Sequence, residues 1–383
     1  MTQDDRARGE HESAETPKGT VVLFGDGRAG LPSKHELATL EHIAKELARL
    51  QGYGFRGIYD ASIRYSGQPY FVPGATLTDC ETAARVGITQ EDDLFGGVVP
   101  HPYMATKTIT HPLIDNYTFA PKGWSDHFAR RVRNATLFGF SAFTLADARA
   151  AGAIVLKAAP VRVKPGNGVG GRGQSVAENV GELDQALVAL GEGAISQHGV
   201  VLEQNLNEVT TFSIGRVHVR NFFVSYHGTQ HVTKDNDGKH VYGGSDLFVV
   251  RGDYDQLLRL NLPAEVRLAI EQARIYDTAA NNISGFIASR RNYDVAQGID
   301  DRNQRCSGVL EQSWRIGGAS PAESAALAAF QSNPKLRAVR ASCVEAYGSH
   351  APPADALINF QGVDERVGPI VKYTVLDTHA CDP

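Results

Sequence analysis

The chain has 383 residues, 38 Lys and Arg against 43 Asp and Glu, and a formal charge of −5, so it is long enough for two or three lobes around a sizeable core. No basic block supports a nucleic-acid groove held by phosphate contacts, and no apolar run approaches the ~20 residues that span a bilayer. Four cysteines, Cys80, Cys306, Cys343 and Cys381, lie far apart without a CxxC pair, which argues against a zinc knuckle or a disulfide framework and for reduced thiols in a cytoplasmic protein.

Residues 1–18 are polar and charged, without apolar periodicity or a signal-peptide core, and read as a disordered tail. An N-terminal α/β lobe is expected over 19–103. Thr20–Phe24 suits a buried strand, and Ser33 with Glu36 makes a capping box ahead of Leu37, Leu40, Ile43, Ala44, Leu47 and Leu50 on one helical face. A second strand near Phe55–Tyr59 completes a parallel unit. Between strand and helix, Gly25-Asp-Gly27-Arg-Ala-Gly30 has the spacing of a dinucleotide fingerprint. Asp26 puts a negative charge where a pyrophosphate would approach and Leu31-Pro32 delays the helix, so an ordinary βα turn is the preferred reading and a nicotinamide enzyme an alternative.

The second segment, 104–198, carries Pro160-Val-Arg-Val-Lys164-Pro165, then five glycines in Gly166-Asn-Gly168-Val-Gly170-Gly171-Arg172-Gly173, then Gln174-Ser-Val176. Closely spaced glycines expose backbone N–H groups with little hindrance, as cradling a polyphosphate demands. Gln174 stands where a P-loop needs its lysine, and Gln174–Val176 reads as strand rather than helix. What remains is a glycine flap between two antiparallel strands, with Lys164 at its edge. Asn179 and Glu182 then cap a helix carrying Val180, Leu183, Leu187 and Leu190.

The third segment, 199–383, opens with the strand Gly199-Val-Val-Leu-Glu203, is β-rich over 210–224 and helical around Ala264–Ala280, and closes with a hairpin, Ile287–Ile299 and Cys306–Ile316, and an Ala-rich helix, Pro321–Phe330. If Asp300–Arg305 is the turn, Asp294 faces Glu311, Asn292 faces Ser313 and Arg290 faces Arg315. Two carboxylates across a ladder repel unless a cation lies between them, and an oxygen-rich face with open positions suits Mg²⁺. His101, His111, His218, His227 and His231 show no metal-ligand spacing on a helix face.

A lysine strand entering a glycine flap, a strand ending in Glu203, and an acidic hairpin followed by Gly317-Gly318 resemble the ATP-grasp superfamily over roughly residues 104–330. The resemblance implies an α/β fold with α+β lobes, an ATP-grasp behind a Rossmann-like N-terminal lobe. It also implies ATP and Mg²⁺, two ions, as cofactors. Lys164 resembles the phosphate lysine before the flap and Lys107 the other phosphate lysine; Gly168, Gly170, Gly171, Arg172 and Gly173 form the flap. Glu203 and Gln204 resemble the adenine-edge hinge and Glu208 the ribose acid. Asp294 and Glu311 match the metal carboxylates, with Ser313 where the family commonly has Asn and Asn292 as a substitute oxygen. Arg315 resembles the arginine after the last metal ligand, and Arg290 or Arg291 would add charge at the transferring phosphoryl group. The whole chain, Phe95–Pro102 and Gly368–Tyr373 included, is similar to a proteobacterial family known only as a domain of unknown function.

Enzymes of this superfamily typically activate a carboxylate as an acyl phosphate that an amine or other nucleophile displaces, which positioning and charge neutralisation can drive without a protein nucleophile. The partners implied are small-molecule carboxylate and nucleophile substrates, with no nucleic acid or membrane and a homo-oligomer left open. The alternative is a nucleotide-binding scaffold that has lost turnover, for which Ser313 is the motive.

Overall fold

A computed structural model describes residues 17–25, 32–168 and 170–378. Most of the tail at 1–18, the loop positions Asp26–Gly30 and Cys381 lie outside the described residues. β1 (Thr20–Phe24) leads to α1 (Lys34–Gln51), then β2 (Gly54–Ile58) and β3 (Tyr70–Pro73). The three strands form a parallel sheet in the order β2-β1-β3. Ser33 N–H donates to Glu36 at 2.8 Å, closing one half of the capping box, and Gly52 ends the helix at φ 66°. Short elements follow: α2 (Cys80–Arg85), β4 (Gly97–Val98) and α3 (His127–Val132).

A four-stranded sheet carries the flap. Its elements are β5 (Gly139–Ala142), α4 (Leu145–Leu156), β6 (Val161–Pro165), β7 (Ser175–Ala177), α5 (Val180–Leu190), α6 (Glu192–His198) and β8 (Val200–Gln204). The order is β5-β8-β6-β7, so β8, expected to open the third segment, belongs by pairing to the second. Val161, Val163, Val200 and Leu202 pack with Leu183 and Leu187 of α5 and with Ala148, Ala151 and Val155 of α4. Strand alternation therefore turns Arg162, Lys164, Val201 and Glu203 to the other face.

The remaining chain builds an eight-stranded sheet. It contains β9 (Asn207–Val219), β10 (Phe222–Lys234), β11 (His240–Arg251), α7 (Tyr254–Leu258), α8 (Ala264–Ala280), β12 (Ile287–Ala288), β13 (Arg290–Ile299), β14 (Arg305–Ser313), α9 (Ser320–Ser332), β15 (Ala338–Tyr347), β16 (Leu357–Asp364) and β17 (Gly368–Asp377). The sheet order is β14-β13-β9-β10-β11-β15-β17-β16, while β12 pairs with β4. One face, with Phe212, Ile214, Phe248, Tyr293 and Val295, packs on α8 through Ala269, Ile270 and Ala273. The opposite face, with Val217, Tyr226, Leu247 and Ala341, packs on α1 and on Ala322, Ala326 and Phe330 of α9. That second face carries Asn292 and Asp294. No helix among the described residues is long and apolar enough to cross a membrane.

Candidate active site

The hairpin of β13 and β14 pairs Asn292 with Ser313 and Asp294 with Glu311, with a bulge directly after Asp294. The carboxylates do not face each other bare. Lys107 Nζ lies 2.6 Å from Glu311 Oε2 and donates to Gly168 O at 2.7 Å, so one ammonium joins the hairpin to the flap. Gln230 of β10 donates to Asp294 Oδ1 at 2.7 Å. Burial first, then the Glu311 charge, push the Asp294 carboxyl up to about 7. Both amide hydrogens of Asn292 are spent, on Ser213 Oγ at 2.7 Å and on the Tyr226 hydroxyl at 3.1 Å, which leaves its carbonyl oxygen as the group a cation could use. Among the described residues no three His, Cys, Asp or Glu converge as a metal cluster. Two carboxylates with a neutral amide oxygen and a hydroxyl nearby still fit Mg²⁺, which prefers oxygen ligands and fills its remaining positions with water and substrate phosphate.

The flap lies against β11 and β15 of the same sheet and reaches the hairpin through Lys107. Gly170 and Gly171 have φ of 62° and 78°, a conformation open to glycine; Val169 lies outside the described residues. A Cβ on Gly170 would lie 3.9 Å from Tyr242 of β11, and Arg172 hydrogen-bonds the Tyr347 side chain of β15. Beneath the flap, Lys164 is 2% exposed and ion-paired with Glu203, itself 1% exposed. His111 Nε2 meets the other Glu203 oxygen at 2.9 Å. Burial alone would raise Glu203, yet Lys164 and His111 overcome it and hold the carboxyl down at about 2. The Glu203 side chain is thus committed to Lys164 rather than open to a base edge. Gln204 and Asn205 N–H already donate to Phe138 O and Pro160 O at 2.8 and 2.9 Å. Glu208 is exposed at the start of β9 with φ 51°.

The three arginines part company. Arg291 faces away from Asp294, into the α8 layer, where Asp277 and Glu91 hold it, so the charge expected from it at the phosphoryl group is corrected: alternation along β13 sends it to the wrong side. Arg290 shares the Asp294 face, but its donors are spent. Nε and Nη2 fork onto Glu323 of α9 at 2.8–3.1 Å, and Nη1 donates to Ser313 O, Ser313 Oγ and Arg315 O. It clamps the end of the hairpin and is not free for phosphate, which corrects its assignment too. Arg315 keeps its charge available: it donates to Ile316 O at 2.8 Å and pairs with no carboxylate among the described residues.

Sequence reasoning missed Gln230, Tyr226 and Glu323, which reach the hairpin from distant strands and from α9 with no local motif. His111 carried no metal spacing and serves instead as a partner of Glu203. Glu323 is fully buried and also accepts from the Tyr226 hydroxyl at 2.6 Å. Glu323→Ala should therefore leave the buried Arg290 guanidinium unpaired and cost about 3–5 kcal/mol in urea unfolding. A change within a few tenths would show that the clamp contributes nothing.

A comparison with curated proteins finds no match. Among solved structures, the chain is similar to carboxyaminoimidazole ribonucleotide synthase from Aspergillus clavatus complexed with ATP, at 12% identity and TM-score 0.51 over 94% of each chain. It is similar to the biotin carboxylase domain of the 2-oxoglutarate carboxylase of Hydrogenobacter thermophilus, in complex with MgADP, ADP and bicarbonate, at 11% identity and TM-score 0.51, over 94% of this chain and 87% of that one. An ADP complex of N5-carboxyaminoimidazole ribonucleotide synthetase matches at 11% identity and TM-score 0.50, over 95% and 94%. At these identities the likeness establishes the fold, which is ATP-grasp. The model of the family described as "Protein of unknown function (DUF3182)" matches residues 23–374, and the chain belongs to that family.

Proposed function

We propose that the chain is an ATP-dependent ligase that activates a carboxylate as an acyl phosphate for attack by an amine or another nucleophile. The observation that carries this reading is the Lys107 bridge, from the flap carbonyl of Gly168 to Glu311 opposite Asp294. One ammonium thereby joins the glycine loop to the acid pair, as phosphate and cation held at one site would require. Asp294 and Glu311 would hold Mg²⁺, with the Asn292 carbonyl and the Ser313 hydroxyl beside them. When bound, the metal neutralises the transferring phosphate. Lys164 and Lys107 would exchange carboxylate partners for phosphate oxygens, and Arg315 would add its charge at the transferring phosphoryl group. Gly168, Gly170, Gly171, Arg172 and Gly173 would close over the nucleotide and exclude water, with the hinge at Glu203–Gln204 beside the base and Glu208 near the ribose.

A second reading, nucleotide binding without turnover, is favoured by Ser313, whose hydroxyl already accepts from Arg290 at 3.1 Å. ADP release with pooled carboxylates and amines separates the two. Saturating Mg-ATP should raise the melting temperature, since ligand at ~100 times its dissociation constant adds about 2.7 kcal/mol. An unmoved melting curve with Mg-ATP, together with a shift by NAD, would overturn the nucleotide assignment.

A further inference from the structure

The strands β15 to β17 extend the large sheet beyond the hairpin, and on the Asp294 face they carry a second polar cluster. Cys343 belongs to the core on that face, so Glu345, two residues on, shares it, and Lys372 lies directly across the ladder from Glu345. Lys372 Nζ and Glu345 Oε1 are 2.8 Å apart, with the two side chains only 10% and 14% exposed. α1 covers the pair from above. The His35 ring lies 6.2 Å from that of Phe360, which pairs with Lys372, and His35 N–H donates to Asp364 at 2.9 Å. The cluster is continuous with the candidate active site: Cys343 Sγ donates to Gly318 O at 2.9 Å, three residues beyond Arg315, and Tyr347 meets the flap through Arg172.

Two atoms there have no partner. His35 Nδ1 and Asn359 Oδ1 are buried and unbonded, although Asn359 is 7% exposed and its amide donates to Thr374 Oγ1 at 3.0 Å. A purely structural cross-strand ion pair gives no reason to leave two buried polar atoms unsatisfied beside it, because each costs its full desolvation.

We propose that Glu345 and Lys372, with His35 and Asn359, form a binding site for a zwitterionic, amino-acid-like compound. Its carboxylate pairs with Lys372, its ammonium with Glu345, and its remaining polar groups meet His35 Nδ1 and Asn359 Oδ1. The charge balance selects this class. A zwitterion replaces one buried pair by two and leaves no charge alone, whereas a simple anion or amine would strand Glu345 or Lys372 in a nearly dry site. Its role as the nucleophile rests on the ligase reading; its binding does not.

The test is calorimetric titration of the full chain, with and without Mg-ADP, using a pool of the protein amino acids, then acetate and ethylamine. Saturable binding of an amino acid, but of neither acetate nor ethylamine, is expected. Glu345→Gln and Lys372→Met should each weaken it roughly tenfold or more. The charge-balanced double variant Glu345→Gln/Lys372→Met, and Asn359→Leu with the ion pair intact, guard against misfolding of the single variants and should also weaken binding. No amino-acid binding in either condition, or binding unchanged in the double variant, overturns the site. Binding with no ADP release from ATP sinks the ligase reading and leaves the site standing. Amino-acid-dependent ADP release untouched by the double variant sinks the site and leaves the ligase.

Discussion

Asp294→Asn is expected to abolish Mg²⁺-dependent ADP release while making the metal-free protein more stable at neutral and higher pH. Burial and the facing Glu311 carry this carboxyl from its ordinary 3.8 up to about 7. The folded state then holds the proton longer than the unfolded chain does. Stability is fully present below about 3.8 and is lost as pH rises through about 7. An amide keeps the neutral shape and removes that loss, a gain on the order of a few kcal/mol at most. Glu311→Gln should also stop turnover, yet behave oppositely in the metal-free protein. Its carboxylate is the partner of Lys107, whose side chain is 3% exposed, so the amide strands a buried ammonium at a cost of about 2 kcal/mol. Melting curves in chelator from pH 5 to pH 8, with ADP release at saturating Mg²⁺, check both. A destabilised Asp294→Asn protein at pH 8, or turnover that survives, would remove the metal reading.

That asymmetry between two facing acids was not legible in the sequence. The pairs Asp294–Glu311 and Asn292–Ser313 were, but the turn alone does not set them: next to it Ile299 meets Arg305, one residue out of the symmetric register, the bulge after Asp294 restores that register, and the ladder ends before Arg290 could meet Arg315. The same period already separates Arg290, Asn292 and Asp294 from Arg291. It cannot say that Arg290 is spent on Glu323, 33 residues on, since that contact depends on where α9 packs. Lys107 is the sharper case. The resemblance names it as a phosphate lysine, but its context, Ala-Thr-Lys-Thr-Ile-Thr, offers no motif that would lay it between Gly168 and Glu311; the fold does that. The capping box at Ser33 and the strand ending at Glu203 are local signals, and both elements form where those signals stand. β15 escaped notice for a physical reason: Ala338, Ala341, Ser342 and Ala346 give it little of the β-branched and aromatic content that marks a strand, and pairing with β11 and β17 supplies what propensity does not.

Lys164→Ala bears on both the fold and the chemistry, and the sequence alone suggests only the second. A lysine at the mouth of a glycine flap reads as a phosphate contact whose loss spares the core. In the structure its ammonium is the chief partner of a carboxylate 1% exposed. Removing it leaves Glu203 buried with His111 alone, so a loss of about 3–5 kcal/mol is expected together with loss of nucleotide affinity. The pH dependence has the opposite sign to that of Asp294. A carboxyl held at about 2 contributes stability that is fully present above its ordinary 4.5 and disappears as pH falls through about 2. Lys164→Ala should flatten that acid limb. The double variant Lys164→Met/Glu203→Gln removes both charges and should recover most of the stability without recovering ATP binding, which separates the structural from the phosphate role. Lys157→Ala is the control, since Lys157 is exposed at the C-cap of α4 and should change neither quantity. If Lys164→Ala melts with the wild type, the buried pair contributes nothing in solution. If the double variant still binds Mg-ATP at wild-type affinity, Lys164 is not a phosphate ligand, and Lys107 and Arg315 would have to carry the phosphate charge alone.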